Sequence, residues 1–441
     1  MQINTELFEW FSNHAEYIIN KCKRTVTSVP GLYDSEIEIY VPGGDDKYPA
    51  FWMRDAIMQC RSGFISKERM QQMLEIILFY QNGKCFKNLE HGLKILPWAI
   101  ADHIVLPGLG DEEFQKTHPA GAVFFPGTYS TGNNQGTGDY GTRPADDCIY
   151  EVIDLTEMII KRYSDNEIIA YLDKKINDVS ILERLHNGFQ SMPVDKMTGL
   201  CYNTETDWAA CSFHDALRPK GLIAFPSILR FRAAKTMAEL YRLCGNAILA
   251  KEYMDTANDI ASSIIKYLLQ DNGWINVATE VDKQADVWST SMAIFYELLP
   301  DKLKLKTCHV MLDAYKDGIS VNYKGYLRHT LIAADIIPNE QVWEHGQAGM
   351  TNNNQYGTYQ GGGYWPQPLG YYTYSLAQID MDAALEIACS YITHTKNMER
   401  NGAPFEWINP VIPILKTPSL GRFYGPSVAL PIEGFKRLSL L

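Results

Sequence analysis

Carboxylates set directly against aromatic rings are the residues of this chain best suited to chemistry. Tyr202-Asn203-Thr204-Glu205-Thr206-Asp207-Trp208 places Asp207 before a Trp, and Phe405-Glu406-Trp407 places a lone Glu between two rings in a segment with Gly402, Pro404 and Pro410. A carboxyl in a partly dry aromatic cleft has its pKa raised and can donate a proton near neutral pH, and a second carboxylate can activate a water. Gly141-Thr142-Arg143-Pro144-Ala145-Asp146-Asp147 ends a long Gly-rich stretch on two acids, and Phe51-Trp52-Met53-Arg54-Asp55-Ala56 sets Arg and Asp beside a Trp. Arg donates, Asp accepts and an indole stacks, which is what vicinal hydroxyls on a sugar ring require. Each motif also has a plainer reading: Asp55 as a helix cap, Asp146 and Asp147 as first-turn acids, Asp207 as a turn residue and Glu406 as an exposed loop charge.

The elements that must position these residues are mostly helices. Apolar positions recur at helical spacing over 5–27, 66–82, 146–163, 165–189, 222–243, 246–269, 286–299, 301–315, 367–396 and 425–439. Short connections alternate with long ones: 106–145 and 345–366, rich in Gly, Asn, Thr, Tyr and Pro, and 28–53 and 192–221, which are also extended and turn-rich. They carry too many aromatics and too little charge to be disordered. No shift in composition marks a linker, so the chain is expected to be one domain over 1–441, a closed ring of helical hairpins with the long loops at one mouth.

In that order the motifs resemble those of the six-hairpin glycosidases of the (α/α)6-toroid type, which include glucoamylase, trehalase and the processing α-glucosidases. The resemblance covers roughly residues 45–410. Phe51-Trp52-Met53-Arg54-Asp55-Ala56 is similar to the segment that holds the sugar at the cleavage point. Gly363-Tyr364-Trp365-Pro366 resembles a stretch before a late barrel helix, and Phe405-Glu406-Trp407-Ile408-Asn409-Pro410 resembles the one that supplies the catalytic base. The resemblance implies an all-α toroid and an inverting, exo-acting glycoside hydrolase with Asp207 as acid and Glu406 as base. Trp52, Arg54, Asp55, Asp146, Trp208, Tyr364, Trp365 and Trp407 would then bind substrate. In the family's acid segment Asp follows Trp, whereas here Asp207 precedes Trp208, so Asp147, and behind it Asp146, compete for the acid role. A toroid sugar epimerase or lyase would instead rely on histidine, with His345 and His214 as candidates, and a carbohydrate-binding protein without turnover is a third reading.

Composition narrows the partners. With 40 Lys+Arg against 52 Asp+Glu the net charge is 40 − 52 = −12, which disfavours nucleic acid and anionic membrane surfaces. The start has no cationic region followed by an apolar stretch, and nine scattered cysteines form no CxxC pair, so a cytoplasmic protein with reduced thiols is expected. The acids lack Ca²⁺-loop spacing and the histidines do not pair at i, i+4, so neither metal nor cofactor is expected.

Overall fold

The computed structural model describes residues 4–126, 129–136, 140–210, 218–281, 283–318, 321–331, 359–360, 363–408 and 421–441. Within them lie fourteen α-helices: α1 (Thr5–Lys21), α2 (Met53–Cys60), α3 (Lys67–Phe79), α4 (Glu112–Thr117), α5 (Cys148–Ile160), α6 (Asp165–Leu172), α7 (Ile181–Ser191), α8 (Ala224–Leu243), α9 (Ala247–Tyr267), α10 (Val287–Phe295), α11 (Asp301–Lys316), α12 (Leu369–Ala377), α13 (Met381–Met398) and α14 (Pro426–Arg437).

Six of these helices form a circuit. α2 packs on α5, α5 on α8, α8 on α10, α10 on α12, α12 on α14, and α14 returns to α2. Outside it, α3 and α7 pack on α5, α9 on α8, α11 and α13 on α12, and α1 on α13 and α14. The inner helices are buried nearly all round; every residue of α10 and all but two of α5 are inaccessible. α9 instead exposes most of its length and buries Tyr253, Ala257, Ile260 and Ile264 at helical spacing.

The long connections form a second circuit, held by short β pairings. Phe51–Trp52 pairs with His103–Val105, Gly141 with Ala209, Ile223 with Ala278, Asp286 with Thr330, Tyr364 with Ile408, and Tyr424 with Gly43. Each inner helix therefore starts from a loop stitched to the next, and six N-termini face one end. The first of these lies in a three-stranded sheet and the others are isolated bridges; with the further two- and three-stranded sheets among the described residues, the chain is mainly helical rather than helical throughout.

The two helix sets begin differently. Asn4, Ser66, Ser180, Asn246 and Asp380 accept a backbone N–H at the starts of α1, α3, α7, α9 and α13. In the inner set only Asp286, before α10, does so; α2, α5, α8, α12 and α14 have no side-chain cap bond. Uncapped helix starts present partial positive charge and N–H donors, which favours carboxylates at that end.

Two expected helices are each broken in two. The stretch 165–189 is interrupted by a hairpin of Lys175–Ile176 and Val179–Ser180, turning at Asn177 and Asp178, whose φ of 48° and 64° suit a two-residue turn. The stretch 367–396 breaks at Gln378–Asp380, where Asp380 caps α13.

α12 and α14 approach so closely that a Cβ on Gly370 would lie 2.2 Å from the Leu430 carbonyl oxygen, and one on Gly434 2.3 Å from that of Gly370. An alanine would gain about 1 kcal/mol of helix propensity, but backbone overpacking costs about 1–3 kcal/mol or more. Gly434→Ala is thus expected to lower the midpoint of thermal unfolding, and an unchanged or raised midpoint would show that these helices can part.

Candidate active site

Arg54, in the first turn of α2, organises the mouth. Its guanidinium lies 2.7 Å from Asp102 Oδ1 and 3.3 Å from Asp147 Oδ1, with all three side chains buried. Burial alone would lower the Arg54 pKa, but Asp102 and Asp147 outweigh it and hold the group cationic. Burial likewise opposes ionisation of Asp102, yet Arg54 and His103 keep its carboxyl below the usual range. Asp147 occupies the N-cap position of α5 without making a cap bond.

Asp102 and His103 were not singled out from the sequence. They arrive through strand register, which sets Trp52 opposite His103. The rings stack at 5.1 Å and 25°, and His103 Nδ1 lies 2.7 Å from Asp102 Oδ2. No local motif signals this.

Asp146 is different. It is 2 % exposed, and its Oδ1 has no hydrogen-bond partner among the described residues. Burial pushes its pKa to about 7, with Arg143 pulling down and Asp147 pushing up. Asp207 has the opposite surroundings. Its side chain is 45 % exposed, Arg143 approaches both oxygens at 3.4 Å, and the Tyr202 hydroxyl donates to it at 3.0 Å. Asp207 also closes a turn, its N–H donating to Thr204 Oγ1.

Across the mouth two tyrosines exchange partners. Tyr48 donates to Glu406 Oε2 at 3.1 Å, and Tyr424 donates to Asp55 Oδ1. Burial raises the Asp55 pKa to about 6 against the pull of Tyr424 and Arg54. Asp55 thus lies inside the first turn of α2, bonded to a side chain from the far end of the chain.

The remaining aromatic candidates divide by exposure. Trp52 is half-buried. Trp208, Tyr364, Trp365 and Trp407 are buried, with protein contacts: Arg218 lies over the Trp208 ring, Arg328 donates to the Tyr364 hydroxyl, Trp365 Nε1 donates to the Tyr359 carbonyl, and Trp407 meets the Tyr359 ring. His214, His345 and most of the loop 345–366 lie outside the described residues.

A cavity of about 680 Å³ opens at the opposite end, where α5, α8, α10 and α14 finish. Its charges are largely paired, Lys161 and Arg232 with Glu157, Arg242 with Glu239, and Arg437 with Glu297. None of the carboxylates described above lines it. No group of metal-ligating side chains occurs among the described residues, and no helix there is long and apolar enough to cross a membrane.

No family model and no curated protein matches this sequence. Solved structures do match in shape. An uncharacterized conserved protein from Thermus thermophilus aligns with a TM-score of 0.57 at 11 % identity over 96 % of this chain and 99 % of its own. A glycosidase variant in complex with glucose aligns at 0.54 and 13 % identity over the whole of both chains. The fold is glycosidase-like. A GH78 family rhamnosidase of Bacillus sp. GL1 aligns at 0.55 and 9 % identity over 99 % of this chain but 35 % of its own, so the match covers a part of that longer enzyme. Identities this low speak to the toroid architecture alone.

The environment of Asp146 makes a prediction about stability. Its folded pKa of about 7 lies above the unfolded value near 3.9, so ionisation works against folding. The stability associated with its protonated form is complete below about pH 4 and is lost as pH rises to about 7. Asp146→Asn is then expected to stabilise the protein increasingly from pH 4 to pH 7 and by a constant amount above, with a ceiling of about 4 kcal/mol. Denaturant unfolding at pH 4, 5.5, 7 and 8 measures it; a pH-independent difference would mean that Asp146 is already ionised.

Proposed function

We propose that this protein is a glycoside hydrolase, inverting and exo-acting, built as a single (α/α)6 domain and acting on a carbohydrate substrate. The observation that carries the reading is the contrast between carboxyls on a glycosidase-like fold: Asp146, buried and raised to about 7, can hold a proton at neutral pH, while Glu406 accepts a hydrogen bond from Tyr48 in an aromatic segment of the same mouth.

An acid must be protonated before the bond breaks and ionised afterwards, which favours a pKa near the working pH. Asp146 meets that requirement. Asp207 is half exposed and paired with Arg143, and Asp147 is paired with Arg54, so the acid role is assigned to Asp146 and these two become positioning groups. Glu406 is the base: it deprotonates a water that attacks the anomeric carbon while Asp146 protonates the departing oxygen from the other face, inverting the configuration. Asp55 accepts hydrogen bonds from sugar hydroxyls beside Arg54, and Trp52 stacks. Trp208, Tyr364, Trp365 and Trp407 act as packing that fixes the loops.

A screen of aryl-glycosides and natural disaccharides, with product anomers followed by NMR, tests the class. Release of sugar with inverted configuration is expected; retention would make one carboxylate a nucleophile, and an isomerised or unsaturated sugar would favour an epimerase or lyase. Glu406→Gln is expected to abolish turnover, by 10³-fold or more on the order seen for essential groups, while binding survives in calorimetry. Asp146→Asn should damage substrates with poor leaving groups far more than activated aryl-glycosides, because only the former need protonation. If Asp207→Asn shows that split and Asp146→Asn does not, the acid is Asp207.

A further inference from the structure

The six inner helices meet in one polar hub. It is formed by Arg61 at the end of α2, Glu151, Asp154 and Glu157 on α5, Arg232 on α8, Tyr296 at the end of α10, Tyr371 on α12 and Glu433 on α14. Arg61 lies 3.2 Å from Glu151 and 3.5 Å from Glu433 and also meets Asp154, while Arg232 meets Asp154 and lies 3.5 Å from Glu157. The circle closes through hydroxyls. Arg61 and Arg232 both donate to Tyr296, Tyr296 donates to Tyr371 at 3.2 Å, and Tyr371 donates to Glu433 Oε2 at 3.2 Å.

The charges of the hub do not balance. Four carboxyls, Glu151, Asp154, Glu157 and Glu433, face three cations, Arg61, Arg232 and, at the outer edge, Lys161, 2.9 Å from Glu157. Among the described residues the hub is therefore one cation short. Asp147, one turn before Glu151, already shares Arg54 with Asp102. The helices packed on the other side of α5 supply nothing: on α3 Glu75 is turned to Lys174 and Tyr33, and on α7 Arg184 is turned to Gln81 and the Ile176 carbonyl and His186 to Tyr253. Burial keeps the Cys60 thiol of α2 neutral.

Space limits what can fill the gap. Between Arg61, Glu151, Tyr296 and Tyr371 lies a void of about 10 Å³, room for at most one water and none for a hydrated metal ion. A surplus carboxylate buried in such a place takes a proton instead. Burial raises the Glu151 pKa to about 7 against the pull of Arg61, with Asp154 adding to the rise. Asp154 is raised by burial too, against Arg232 and Arg61. Burial also opposes ionisation of Glu157, but there Arg232 and Lys161 prevail and hold the carboxyl below its usual range.

We propose that the hub is a proton-dependent lock on the ring: one proton shared by Glu151 and Asp154 stands in for the missing cation, and its loss loosens α5 from α2, α8 and α14. Glu157, Arg232, Tyr296 and Glu433 also line the cavity of about 680 Å³ at the end away from the mouth, and the proton exchanges with solvent on that side. The folded hub keeps this proton and an unfolded carboxyl gives it up, so stability is tied to pH. The contribution is complete below about pH 4, the ordinary carboxyl range, and is lost as pH rises to about 7.

The experiment compares the full chain with Glu151→Gln, whose amide oxygen still accepts from Arg61 while the surplus charge is gone. First, infrared spectra record the protonated-carboxyl absorption lost between about pH 6 and about pH 8.5. The loss should be smaller in Glu151→Gln than in wild type, and smaller again when Asp146→Asn is added; an equal loss in wild type and Glu151→Gln overturns the proposal. Second, amide hydrogen exchange, corrected for its intrinsic pH dependence and referred to α9, is followed over the same interval. Peptides of α5 and α14 should exchange roughly tenfold faster at the higher pH in wild type and in Asp146→Asn, but not in Glu151→Gln. No acceleration in wild type, or the same acceleration in Glu151→Gln, overturns the lock. If Glu151→Gln does not fold, Glu433→Gln, which removes one carboxyl at the partly open edge of the hub, carries both measurements with the same expected and overturning results.

Discussion

Everything at the mouth depends on one buried cation. Arg54 sits between Asp102 and Asp147 with almost no access to water, and an uncompensated charge in such a place would cost several kcal/mol. The ion pair therefore imposes a geometry: α2, which carries Arg54, must meet α5 at its N-cap, and Asp102, just before the strand His103–Val105, must reach the same guanidinium. Asp146 follows from the same constraint. With Asp147 committed to Arg54, its neighbour sits buried beside a negative charge, one oxygen without a partner among the described residues, and its pKa rises toward neutrality.

The pattern continues into the ring. One helical face of α5 presents Glu151, Asp154 and Glu157, and α2 returns with Arg61, seven residues beyond Arg54. Arg61 meets Glu151 at 3.2 Å, Asp154 and Glu433; Arg232 of α8 meets Asp154 and Glu157; and Tyr296 accepts from Arg61 and Arg232. The centre of the circuit is thus a ladder of alternating charges. Removing one member would strand its partners, whereas replacing a whole rung by apolar residues of like volume could be neutral. Such a ladder fixes the rotation of each inner helix about its own axis, and so aims the loop that enters it.

How much of this was legible follows from how local each signal is. Five of the outer helices, α1, α3, α7, α9 and α13, announce themselves by a polar cap, and α9 adds a buried stripe, Asn246 being followed by Tyr253, Ala257, Ile260 and Ile264. The interruptions at Asn177-Asp178 and before Asp380 were also local, and a periodicity count over long windows averaged them away. Asp55, Glu406 and the Asp146-Asp147 pair stood out because a charge in an aromatic or Gly-rich stretch is unusual anywhere. The surroundings of Asp207 were not readable: beside Trp208 it is expected in a dry cleft, yet its side chain is 45 % exposed and pairs with Arg143, 64 positions away. Asp102 and His103 had no local sign at all, since their role exists only once two strands have chosen their register.

The exchange between the two tyrosines has a consequence in time. Tyr48 reaches Glu406 across 358 positions and Tyr424 reaches Asp55 across 369, and α14 closes on α2 over a similar span. Contacts of such separation form late, because loop entropy must be overcome before they return any energy. A ribosome must therefore release nearly the whole described chain before either carboxylate meets its hydroxyl. Up to that moment the mouth is an open arc, and the residues that would handle substrate belong to two ends that have not yet met. The pairing of these two carboxylates with their hydroxyls is in this sense bound to the closing of the circle.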